Sequence, residues 1–117
     1  MKYMCLIYDD QKAWAQFSEE ERNAGYAAYR KFGEEIRKAG QYIDGSELAP
    51  THAATTVRVR NGKTQTTDGP YAETREQLGG YYLIEAKDLD EAIAIAARIP
   101  SAQSGAIEVR PLVGIGG

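Results

Sequence analysis

Apolar residues run without a break from Tyr3 to Tyr8 and stop at the acidic pair Asp9-Asp10. Such a run, lacking alternation, predicts a central strand covered on both faces. The stretch from Gln11 to Phe17 reads as a loop or short turn carrying Trp14 and Phe17. Ser18 followed by Glu21 has the spacing of a capping box, in which a hydroxyl and a carboxylate each satisfy an orphan amide. From there to Ala39 no proline intervenes, and Ala28, Phe32, Ile36 and Ala39 share one helical face. Gly40 ends that long helix by admitting the left-handed conformation.

Tyr42 to Leu48 predicts a strand, interrupted at Gly45 by a bulge or a close contact and closed by Pro50. Thr55 to Arg60 alternates with period two, Asn61-Gly62 signals a tight hairpin, and Lys63 to Thr67 returns as a polar edge strand. Gly80 to Ala86 is a further strand. Asp88, with Glu91 three residues on, caps a second helix whose apolar stripe is Leu89, Ala92, Ile93 and Ala96. Pro100 terminates it, and Ile107 and Val109 belong to a last strand.

With the hairpin treated as an insertion, the order is βαββαβ, an α+β fold of the ferredoxin-like kind. Helices then cover one face of an antiparallel sheet. Neither side of the first strand is polar, so the opposite face needs a ligand or a second subunit, and a two-fold homodimer satisfies that need best. A chain of 117 residues makes one domain, residues 1–113, with a Gly-rich tail at 114–117 that is expected to be mobile.

Composition narrows the functional classes. A net charge of -3, with scattered lysines and arginines, argues against nucleic acid as a partner. The lone cysteine, Cys5, excludes a disulfide scaffold and suits a reducing cytoplasm. The opening apolar run is too brief for a secretion signal or a membrane span, so a cytoplasmic protein with no membrane partner is expected. One cysteine and one histidine cannot furnish a zinc site. A hard metal held by Asp9, Asp10 and Asp68 stays open as an alternative, although their spacing is not that of a hard-metal loop. No phosphate-binding loop is present either, since no helix follows the terminal glycines, and no cofactor is expected.

The densest cluster of special residues is Asp68-Gly69-Pro70-Tyr71-Ala72-Glu73-Thr74-Arg75-Glu76, which leads through Gln77-Leu78 to Gly79-Gly80-Tyr81-Tyr82. Together with the opening strand, Ala54 to Arg58 and Asp88 to Ala92, it resembles the signature of the DGPF-domain, or YCII-related, family. Tyr71 stands where that family's name has phenylalanine. The resemblance spans nearly the whole chain and implies a dimeric α+β barrel of ferredoxin-like subunits. More distant YCII-like proteins are thought to use a His-Asp pair with the histidine in the first helix. The helix predicted from Ser18 to Ala39 contains no histidine, so that pair is not carried over. By analogy, family members found beside extracytoplasmic-function sigma factors suggest a regulatory association.

Asp68 is the first candidate for chemistry, because a carboxylate at the lip of a turn after a strand can act as a general base; an Asx-turn is its structural alternative. His52, the sole histidine, is a second acid–base candidate or an exposed loop residue. Glu73, Arg75 and Glu76 could form a polar wall that orients an anionic or hydroxylated ligand, with Arg75 binding through its forked donors, or they simply face water. Arg58 could hold an anion, and Tyr71 and Tyr81 could line an aromatic-ligand cleft or a dimer seam. Two functions remain open: a small-molecule enzyme moving a proton through a carboxylate, and a non-catalytic ligand-binding or accessory protein.

Overall fold

The computed structural model describes residues 1–114; the predicted tail lies outside that range except for Gly114. Its strands are β1 (Lys2–Asp9), β2 (Tyr42–Glu47), β3 (Thr55–Arg60), β4 (Lys63–Asp68), β5 (Gln77–Glu85) and β6 (Ala106–Pro111). Its helices are α1 (Gln11–Ala15), α2 (Glu19–Lys38) and α3 (Leu89–Ala97). One sheet has the order β2-β5-β1-β6, with every neighbouring pair antiparallel. With β3 and β4 set aside as an insertion, this is the strand order of the ferredoxin-like βαββαβ unit. β3 and β4 form a separate two-stranded ribbon.

β1 shows why the sheet is two-sided. Tyr3, Cys5 and Ile7 are buried under the helices, whereas Met4, Leu6 and Tyr8 lie partly open on the far face. Tyr3, Cys5, Ile7 and Ile84 join Phe32 and Ile36 of α2, and Ala92, Ile95 and Ala96 of α3, in a single core. Burial of that kind, at about 25 cal/mol per Å² of apolar area, supplies most of the fold's cohesion. The open face carries Leu83 opposite Met4 and Tyr81 opposite Leu6, so it too is largely apolar.

The helix ends follow their local chemistry. Ser18 Oγ accepts from the Glu21 amide at 3.1 Å, and Glu21 Oε1 accepts from the Ser18 amide at 2.9 Å. The backbone bond from Ser18 and then its hydroxyl draw the Glu21 carboxyl below its ordinary value. Gly40, at φ 73°, closes α2 as predicted. The packed face of α2 is rotated from the expected one: Phe32, Gly33 and Ile36 are buried and Tyr29 half-buried, while Ala28 and Ala39 are exposed. In α3 the inward residues are Ala92, Ile95 and Ala96, whereas Leu89 and Ile93 face out. Glu91 reaches the Lys87 amide instead of that of Asp88, so only half of the predicted box forms.

Two local predictions resolve in detail. Gly45 lies against Tyr82, where an added Cβ would sit 2.7 Å from the ring, and a bulge falls between Tyr42 and Asp44. The ribbon turns through Asn61 and Gly62, both at positive φ, as the type I′ hairpin requires. The segment expected to be a loop or short turn, from Gln11 to Phe17, begins with the short helix α1. Asp10 Oδ1 caps α1 by accepting from the Lys12 amide at 2.9 Å. That cap overrides the short length of α1, which alone would not hold a helix.

Candidate functional site

The C-terminal end of β1 organises a cleft of about 940 Å³. Three residues tie its corner together. The Gln11 amide donates to Gln77 Oε1 at 3.1 Å, and Gln11 Oε1 accepts from the Thr51 amide and hydroxyl at 3.2 and 3.0 Å. This clamps the end of β1 to the start of β5 and to the turn before the ribbon. Aromatic side chains form the apolar wall: Trp14 packs on Phe17 and on Tyr26 at centroid distances of 5.5 Å each. Gly25 on α2 leaves room for this indole, since a Cβ there would come within 3.2 Å of it.

Asp9 is the most constrained polar group in the cleft. Its Oδ1 accepts from the Asp10 amide at 2.9 Å and its Oδ2 from the Ser104 hydroxyl at 2.8 Å. It is half-buried, and the helix cap at Asp10 holds the neighbouring carboxylate in place. Across the opening stand Thr74, Arg75 and Glu76 from the loop before β5, with Glu108 from β6. Among the described residues Arg75 enters no ion pair, so its guanidinium is available to an anion, whereas Glu108 is held by Arg110 at 3.3 Å. Behind the sheet, Tyr29 Oη and Ser101 Oγ share a hydrogen bond of 2.6 Å, and burial raises the Tyr29 phenol above its ordinary value.

The predicted site residues separate on this map. Arg75 and Glu76 line the cleft. Asp68, at the exposed end of β4, opposes Thr55 and stands outside it. The turn Thr51–Ala53 carries His52 on the surface. Tyr71 is 83% exposed, with the Arg58 guanidinium 5.8 Å from its ring centroid. Glu73 is exposed in the loop, and Tyr81 donates to Asp44 Oδ2 at 3.2 Å on the open sheet face. Sequence reasoning weighed Asp9 only as a hard-metal ligand and Trp14 only as part of a turn. The available signal was the acidic pair that ends the first strand, directly before an aromatic spaced to fold back over it. Among the described residues no group of metal-ligating side chains assembles, and no helix is long and apolar enough to cross a membrane.

Similarity to known proteins agrees with this architecture. An uncharacterised protein of Rhizobium meliloti (strain 1021) is 39% identical over 114 residues, covering 96% of this chain and 92% of its own. Among solved structures, 5-chloro-2-hydroxyhydroquinone dehydrochlorinase (TftG) from Burkholderia phenoliruptrix, in complex with 2,5-dihydroxybenzoquinone, superposes with a TM-score of 0.53. That match covers 97% of this chain and 94% of the enzyme at 17% identity, a likeness of fold. The YCII-related domain matches residues 1–115, and on that near-complete match this chain belongs to the YCII-related family.

Proposed function

We propose that this protein is a small-molecule enzyme whose cleft takes a cyclic, hydroxylated compound and moves a proton through a carboxylate. The observation that carries the reading is one juxtaposition: the Asp9 carboxylate, the unpaired Arg75 guanidinium and the Trp14–Phe17 wall share one cleft. A ring stacks on the aromatic wall, Arg75 holds a phenolate or enolate oxygen, and Asp9 exchanges the proton. Ser104 and the Asp10 amide keep the Asp9 oxygens aimed while it does so. The ferredoxin-like neighbour, by its name, acts on a chlorinated hydroxyhydroquinone, and this lends support to a ligand of that chemical class. The protein works as a homodimer in this reading, because the apolar face bearing Met4, Leu6 and Leu83 otherwise lies open.

A melting-shift screen of hydroquinones and dihydroxybenzoquinones tests the proposal. The expected result is a stabilising compound whose shift is lost in Arg75→Gln and whose turnover, but not binding, is lost in Asp9→Asn. Asp68→Asn keeps both. Absence of any stabilising compound, or loss of turnover in Asp68→Asn alone, would overturn the assignment. Binding without turnover in the wild type would return the non-catalytic reading.

A further inference from the structure

The β3–β4 ribbon is the part of this molecule that its own chain leaves without support. Its two strands pair with each other and, among the described residues, make no substantial packing contact with another strand or helix. Six residues per strand make an arm of about 20 Å at the usual rise. The chain is spread accordingly: its radius of gyration is 16.1 Å, against about 13 Å for a compact domain of this length. An isolated two-stranded ribbon is marginal in water, yet this one displays Val57 and Val59 at 58% and 59% exposure on a single face. Its opposite face is cationic. Arg58, Arg60 and Lys63 lie on it, and no acidic residue occurs between Glu47 and Asp68.

The cleft has the complementary character. Asp9, Asp10, Glu76 and Glu108 line it against the single cation Arg75, around an aromatic wall that faces solvent. None of its lining residues comes from the ribbon. We infer that the ribbon is an exchanged arm: in a pair of copies, each ribbon lies across the mouth of the other copy's cleft, Val57 and Val59 facing its aromatic wall from the far side of the ligand space. The ribbon is only two strands wide, so the long side chains of Arg58, Arg60 and Lys63 reach past its edges to the acidic rim. Each site is then enclosed only in the pair. The inference uses the same cleft as the proposed function but needs it only as a surface, so it stands or falls without any ligand.

Two single-cysteine additions test it. Val59→Cys places a thiol on the arm, and Ala13→Cys places one at the cleft, while the native Cys5 is buried and stays silent. Mixing the two variants, oxidising mildly and running a non-reducing gel should give a covalent pair in much greater yield than either variant alone. Trp14, the one tryptophan of the chain, supplies the second readout. Iodide quenching of its fluorescence should rise several-fold in Val57→Ser/Val59→Ser. A monomeric wild type, a dimer with no excess of the mixed disulfide, or equal quenching in wild type and double variant would each overturn the inference. A mixed disulfide in a protein that binds none of the screened compounds would leave the arm in place and discard the ligand assignment.

Discussion

Replacing Gly105 with alanine should cost far more than its single methyl group suggests. Gly105 precedes β6 and sits where β1 and β6 close their final rung, Tyr8 opposite Ala106. A Cβ at this position would collide with the Tyr8 carbonyl oxygen and approach the Asp9 Cα to 3.1 Å. Both obstacles are backbone, so no side-chain rotation relieves them. The strands must part at that rung, with an overpacking cost of about 1–3 kcal/mol and about 1 kcal/mol more for a weakened ladder hydrogen bond. The sum is about 2–4 kcal/mol, which for a domain of this size lowers Tm by roughly 8–16 °C. Urea denaturation followed by far-ultraviolet dichroism measures the loss directly. Gly79→Ala is the matched control, because a Cβ there meets nothing within 4 Å. If Gly105→Ala unfolds within about 0.5 kcal/mol of the wild type at equal slope, the steric argument fails.

Three other outcomes are expected. Ser18→Ala should remove about 1 kcal/mol by opening the capping box of α2, measured as a lower urea midpoint at unchanged slope. Ile36→Ala, at a fully buried core position, should cost about 2–5 kcal/mol, and calorimetry checks it. Burial pushes the Cys5 thiol up to about 11 from 9.0. A raised value means that the folded chain holds this proton more tightly than the unfolded chain. The stability it contributes is therefore complete below pH 9.0 and is lost as pH rises towards about 11. Denaturation midpoints at pH 8 and pH 10.5 should accordingly converge less in the wild type than in Cys5→Val, and Ellman's reagent at pH 8 should find the thiol only after unfolding.

Much of the fold was legible because its signals are local. Ser18 with Glu21, Gly40 and Asn61-Gly62 each prescribe a backbone state through their own chemistry, and each does so in the structure. Helix faces were less legible. Ala28 and Ala39 satisfy a helical period, yet a methyl group has little area to bury, and the bulkier Tyr29, Phe32 and Ile36 set the rotation of α2. In α3, Leu89 and Ile93 obey the period but stay half exposed, and Ile95 takes the core position. The cleft was the least legible feature. Attention falls on Asp68 because its turn is conspicuous, whereas Asp9 meets Ser104 and Gln77 only through pairings that span most of the chain. No short-range pattern announces such a meeting.

The placement of β1 also governs when this protein can mature. Both of its neighbours, β5 and β6, lie in the second half of the sequence. While the ribosome is still adding residues before Gln77, the strand from Tyr3 to Tyr8 has no ladder to join and its oily residues stay uncovered. The long helix closes through nearby residues and can assemble early; the sheet waits for β5 and β6. The sheet thus closes only once both partner strands have been made, and until then the exposed first strand is where a holding chaperone would act.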